Sequence, residues 1–173
     1  MTHRKAREQR LADAALTDPL TGLANRRAFE AALEERLGRD GSGGCVALFD
    51  LDRFKGINDR FGHAGGDAVL RCFASLARST VRDNDMVARL GGEEFAVLLP
   101  GAGLEQARLV CNRLREALSA ATIRNGSQVI RATVSAGVAA LPTDGTAADV
   151  MDAVDRALYR AKRDGRDQVA LAA

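Results

Sequence analysis

Residues 86–100, MVARLGGEEFAVLLP, read as two short strands folded back on one another. Met86–Leu90 and Glu94–Leu99 have the apolar character of strands, and Gly91-Gly92-Glu93 between them is a hairpin signal. Pro100, which cannot donate to a ladder, closes the second strand. Working outward, CVALFDLD at 45–52 is a short continuous apolar run ending in two aspartates, the pattern of a strand buried on both faces. Val69, Cys72, Phe73 and Leu76 recur at helical spacing between these strands, and Ala107, Val110, Cys111, Leu114 and Leu118 do so after them. From Val129 to Leu141 apolar Ile130, Ala132, Val134, Ala136 and Val138 alternate with Arg131, Thr133 and Ser135, which predicts one half-buried strand. Strand, helix, strand, strand, helix, strand is the α+β, ferredoxin-like βαββαβ order. Val150, Met151, Val154, Leu158 and Ala161 add a C-terminal helix, and Gln168–Leu171 a final strand.

The chain of 173 residues suits one domain, and its apolar blocks exclude a disordered chain. Lys and Arg number 25 against 23 Asp and Glu, a net charge of +2 that argues against a nucleic-acid binder relying on a strongly basic surface. No apolar run approaches the ~18 residues of a membrane span. No apolar segment follows the basic start MTHRKAREQR, so a cytoplasmic protein without a secretory leader is expected. Cys45, Cys72 and Cys111 lie singly in apolar stretches, without metal-ligand spacing, and read as buried small hydrophobes.

Residues 3–16 read as a helix with little core of its own, ended by Asp18-Pro19. This divides the chain into a stalk or linker, 1–17, and a domain, 18–173. Asn25 is placed to cap a helix with an apolar face of Phe29, Ala32, Leu33 and Leu37 that ends near Gly38. Gly41, Gly43 and Gly44 then form a connector.

Asp50 and Asp52 end the central strand, and Glu93 and Glu94 follow the glycines of the hairpin. Four carboxylates near one sheet edge would repel one another without a cation, and Mg²⁺, which takes a few carboxylates plus phosphates, suits such a cluster. Gly91 and Gly92 allow a ligand close to the backbone, and Lys55 adds a cation beside the acids.

The string RLGGEEF at 89–95 resembles the signature of GGDEF-domain diguanylate cyclases in its GGEEF form. DPLTGLANRR at 18–27, DLDRFKGINDRFGHAGGD at 50–67 and YRAKRDGR at 159–166 match the same family in order. The resemblance implies a palm like that of nucleotide cyclase catalytic domains. It also implies a homodimer that joins two GTP molecules into cyclic di-GMP and releases pyrophosphate. Asp50, the Leu51 carbonyl, Glu93 and Glu94 are the implied Mg²⁺ ligands, with Mn²⁺ as a substitute, and Asp52 only shapes the turn. Glu93 is the implied base and Lys55 the cation that offsets phosphate charge. Asn58 and Asp67 are implied to read guanine, with His63 and Phe54 beside the substrate. Lys162 and Arg166 are implied to hold the triphosphate; by themselves they read equally well as cations at a helix C-terminus. Asp67 could equally cap a helix beginning there.

Arg82 and Asp85, with five residues between Asp85 and Gly91, match the family's RxxD product-inhibition site, to which Arg113 would add a contact from a partner. Asp167 stands where the family more often has Asn. The resemblance also implies an upstream sensor module that brings two copies together. The alternative function is a non-catalytic cyclic di-GMP receptor; a cyclase that also takes ATP is disfavoured by Asp67.

Overall fold

The computed structural model describes residues 2–38 and 43–173, so Gly41 of the expected connector lies outside the described residues. Helix α1 (His3–Ala14) has no buried residue, in line with its sparse apolar positions. After β1 (Ala24–Asn25) comes α2 (Arg26–Leu37), where the Asn25 side-chain oxygen accepts from Ala28 N at 3.0 Å, the expected cap. The chain continues as β2 (Gly44–Leu51), α3 (Phe54–Thr80), β3 (Met86–Gly91), β4 (Glu94–Pro100) and α4 (Leu104–Ala120). It ends with β5 (Ile123–Asn125), β6 (Gln128–Ile130), β7 (Val134–Ala140), α5 (Ala147–Arg163) and β8 (Val169–Leu171).

The main sheet runs β1-β3-β4-β2-β7-β8. Its four inner strands, all antiparallel to their neighbours, have the ferredoxin-like order, while β1 and β8 extend the edges in parallel. The apolar run of β2 needs to be continuous because both faces are covered. Cys45, Ala47, Phe49 and Leu51 join the core under α3 and α4, and Val46 and Leu48 join the core under α2 and α5. Phe73 lies between Phe49 and Phe95 with ring centroids 5.4 and 4.6 Å away, tying α3 to two strands. Cys45 and Cys111 are buried and Cys72 is half-buried, and burial pushes all three thiols up, as inert hydrophobes require.

Three expectations need correction. The alternating segment 129–141 is not one half-buried strand. Its start, β6, pairs with β5 in a separate hairpin, residues 131–133 are not strand, and β7 is buried at every position but the last. Ser135, expected on an open face, is fully buried because the chain after α5 folds over it. The helix expected around 69–76 begins at Phe54, with one break at Gly62, whose φ of 75° suits glycine. Asp67 therefore lies inside α3 and caps nothing.

Helix α5 packs against β7 at Gly137, where an added Cβ would lie 2.5 Å from the Val154 carbonyl oxygen and press on Leu158 N. These are backbone atoms and cannot swing aside. Gly137→Ala should therefore lower unfolding stability by about 1–3 kcal/mol in chemical denaturation, while a loss under ~0.5 kcal/mol would show that α5 shifts freely.

Candidate active site

The register of β2 against β4 sets Asp50 directly opposite Glu94. Side chains opposite one another in an antiparallel pair share a face, so two carboxylates meet where like charge is unfavourable. The hairpin turn is fastened to the same strand end, with Leu51 N donating to the Glu93 carbonyl at 3.2 Å. Asp50 is only 7% exposed. Burial pushes its carboxyl above the usual range, Lys162 pulls it back, and Glu93 and Asp52 add to the rise. Lys162 Nζ stands 2.8 Å from Asp50 Oδ2. Glu94 is raised by burial and then by Asp50 and Asp155, against the pull of Arg26 and Lys162.

Asp52 has a different place. Its Oδ1 accepts from Ser135 Oγ at 2.7 Å, and its Oδ2 accepts from Thr133 Oγ1 at 2.7 Å and Asp167 N at 3.0 Å. Both oxygens are engaged and the residue is buried. It joins the end of β2, the start of β7 and the loop after α5 that carries Arg166. Arg166 and Asp167 both have positive φ, 65° and 46°, and Arg115 on α4 holds the Asp167 carboxylate at 3.0 Å. The motif reading assigned Asp52 only the turn; nothing in local spacing announced the partners.

The hairpin has a second tie that the sequence reading did not find. Arg89 donates to the Gly92 carbonyl through Nε at 3.1 Å and Nη2 at 2.8 Å, and through Nη1 to Asp18 at 3.2 Å. Thr21 donates to the same Asp18 carboxylate through its backbone N–H at 2.9 Å and its hydroxyl at 2.7 Å. The segment after α1 is thereby joined to the glycine turn, where Gly91 and Gly92 take φ of 141° and 50°. Both residues sit in quoted motifs, but 71 residues separate them and no periodicity pairs them.

Along α3, Lys55 is exposed in the first turn and Phe54 is buried. A Cβ on Gly66 would collide with Asn58 Oδ1, so the Asn58 amide lies across this glycine, next to Asp67 in the chain. His63 follows the Gly62 break and is exposed. Arg82 and Asp85 occur at the other end of β4, near Pro100, roughly 20 Å along the strand from Glu94. Asp85 accepts from Arg82 N at 2.9 Å and from Nη2 at 3.1 Å. Arg113 of the same chain lines a cavity of about 200 Å³ with this pair.

Asp50, the Leu51 carbonyl, Glu93 and Glu94 are hard oxygen donors, a set that fits Mg²⁺ better than a thiophilic ion. Among the described residues no three acidic, histidine or cysteine side chains close into a metal cage.

A profile of the family described as "Diguanylate cyclase, GGDEF domain" matches residues 15–168. The chain belongs to the GGDEF family. It is 45% identical over 161 residues to diguanylate cyclase DgcP of Pseudomonas aeruginosa, covering 91% of this chain and 24% of that protein. It is 40% identical to the response regulator PleD of Caulobacter vibrioides, covering 90% of this chain and 36% of PleD. The chain thus spans between a quarter and about a third of these curated relatives. Among solved structures, the coiled coil and GGDEF domain of DgcB from Caulobacter crescentus, in complex with c-di-GMP, superposes with a TM-score of 0.92. Identity there is 34%, covering 98% of this chain and 91% of that one. The ferredoxin-like expectation and the family resemblance both stand.

Burial works to raise the Asp18 carboxyl, but the Thr21 hydrogen bonds and Arg89 outweigh it and hold it below the usual range. A carboxyl lowered on folding stabilises above its unfolded value near pH 4, and the gain fades as pH falls through the folded value. Asp18→Asn should cost about 1–2 kcal/mol at pH 7, with the gap to wild type closing as thermal melts move toward pH 3. A gap independent of pH would show that the carboxylate charge is not what ties the segment down.

Proposed function

We propose that this chain is a diguanylate cyclase that condenses two GTP into cyclic di-GMP and two pyrophosphates. The observation that carries this reading is the β2–β4 register: it sets Asp50 opposite Glu94, with the Gly91–Glu93 turn fastened beside them. Support comes from family membership, from relatives named as diguanylate cyclases and from a structural neighbour in complex with c-di-GMP.

Each chain offers one such edge, and the reaction joins two nucleotides, so two chains facing one another are required. Asp50, the Leu51 carbonyl, Glu93 and Glu94 would hold Mg²⁺, which would supply charge stabilisation for an in-line displacement at phosphorus. Glu93 takes the proton of the ribose 3′-hydroxyl. Lys55 and the backbone N–H groups at the start of α3 receive the terminal phosphates, together with Lys162 and Arg166. The turn at Gly91 and Gly92, with open space where a Cβ would stand, leaves room for the nucleotide. Asn58 and Asp67 read guanine, because a carboxylate accepts from N1–H and the exocyclic amine, whereas adenine offers an acceptor at N1. Phe54 and His63 wall this pocket.

Residues 1–17 act as a stalk to an upstream sensor. Cyclic di-GMP feeds back at Arg82, Asp85 and Arg113, where the two arginine guanidinium groups suit phosphate and base stacking. A GTP-consuming signalling enzyme works in the cytoplasm, and no helix among the described residues is long and apolar enough to cross a membrane.

Incubation of concentrated protein with GTP and Mg²⁺, followed by nucleotide chromatography, should yield cyclic di-GMP. Glu93→Gln should lower turnover by about 10²-fold or more with GTP binding retained. No product from a dimer-competent sample freed of bound cyclic di-GMP sinks the enzyme reading. Calorimetry tests the product site under either reading: Arg82→Ala should weaken product binding, and unchanged affinity removes the feedback site.

The glycine under Asn58 gives a test of base reading. Gly66→Ala displaces a flexible side chain rather than backbone, so it should raise KM for GTP by about tenfold. The melting temperature should fall by less than ~4 °C. An unchanged KM would remove Asn58 from the guanine site.

A further inference from the structure

The buried end of β2 already contains a cation supplied by the chain. Lys162 Nζ lies 2.8 Å from Asp50 Oδ2, and the lysine side chain is 33% exposed against 9% for the aspartate. Lys162 belongs to the last turn of α5, so its stem reaches inward from solvent. Asp50 has Glu94 opposite it and cannot move to water, since its strand is central. The oxygen that Lys162 occupies belongs to the carboxylate assigned to the divalent ion. An ammonium and a divalent cation on one buried carboxylate repel each other, most strongly where water is excluded, so each weakens the other's hold on Asp50. The asymmetry of exposure decides which partner moves. A lysine is a compact charge on a flexible four-carbon stem and can swing without repacking the core.

We propose that Lys162 is an internal placeholder for the divalent ion at Asp50, which the incoming ion displaces and the triphosphate then receives. The inference rests on the metal-dependent cyclase reading and deepens it. It makes the nucleotide-free protein a poor metal binder by construction. It also links the two ligands: the ion frees the lysine that phosphate needs, and phosphate holds the lysine that would otherwise return. Ion and nucleotide therefore enter as one unit, and an ion without nucleotide gains little. Lys162 thus has opposite effects on its two ligands, favouring phosphate and opposing metal.

The test uses Mn²⁺ as the probe, titrated by electron paramagnetic resonance into the whole chain without nucleotide. Lys162→Met should tighten Mn²⁺ binding by about tenfold, as expected when a cation in contact with a carboxylate is removed. Lys162→Arg, which keeps the charge, should stay near wild type. Mn²⁺ should also raise the melting temperature of Lys162→Met more than that of wild type, which checks the result on folded protein. Lys162→Met with unchanged or weaker Mn²⁺ affinity overturns the placeholder, as does an equal gain from Lys162→Arg. Adding Asp50→Asn to Lys162→Met should abolish the gain. A gain that survives Asp50→Asn places the ion elsewhere and overturns the metal assignment together with the placeholder. Loss of the placeholder with Asp50-dependent Mn²⁺ binding intact leaves the cyclase reading standing.

Discussion

A carboxylate in the middle of a sheet is an expensive object, and Asp50 is one. It ends a strand flanked by β4 and β7 and covered on both faces, so it cannot turn toward solvent. Its cross-strand neighbour is Glu94, another acid. Desolvation and like charge both oppose ionisation there. The fold meets this by bringing a cation from a distant helix and leaving the remaining acids half-open at the hairpin. The same arrangement that is costly in isolation is suited to a divalent ion and polyanionic phosphates. Stability and chemistry are opposed at this edge, as is usual for functional sites.

Backbone strain collects at the same edge. Among the described residues the non-glycine positions with positive φ are Arg53, Arg166 and Asp167, all on segments that flank Asp50 and Asp52. Such conformations persist only where surrounding contacts over-determine them. Asp52 supplies those contacts for Asp167, by accepting its N–H while binding Thr133 and Ser135. Arg89 does the equivalent for the glycine turn, by spanning from the Gly92 carbonyl to Asp18. Neither residue needs to touch a substrate to matter. They hold the edge in shape, and through Asp18 that shape is connected to the segment leading from α1.

Legibility differed by element. The hairpin at 86–100, the buried run of β2, the Asn25 cap and the bare surface of α1 could all be read locally, since each depends on periodicity or turn chemistry within a few residues. The segment 129–141 misled because its alternation is real but is shared between two sheets, with a break at 131–133. The start of α3 was missed because Phe54–Gly62 carries motif residues in place of a clear apolar stripe, and Gly62 interrupts the helix. Asp50, Glu93, Glu94 and Lys55 could be placed at one sheet edge from the strand and hairpin pattern, whereas Asn58 and Asp67 were found only by resemblance, and neither route gave Asp50 its Lys162 partner.

What the chain determined by itself was most of the longer elements and the inventory of acids, cations and glycines, because propensity, capping and alternation act over short stretches. What only the tertiary structure decided was partnership: Asp50 with Lys162, Asp52 with Ser135 and the Asp167 N–H, Arg89 with Asp18. Those pairs lie 71 or more residues apart and form only when sheet order and helix packing carry them to one edge. The physical reason is that charge interacts through space rather than along the chain, so a buried carboxylate's partner is chosen by the fold that desolvates it.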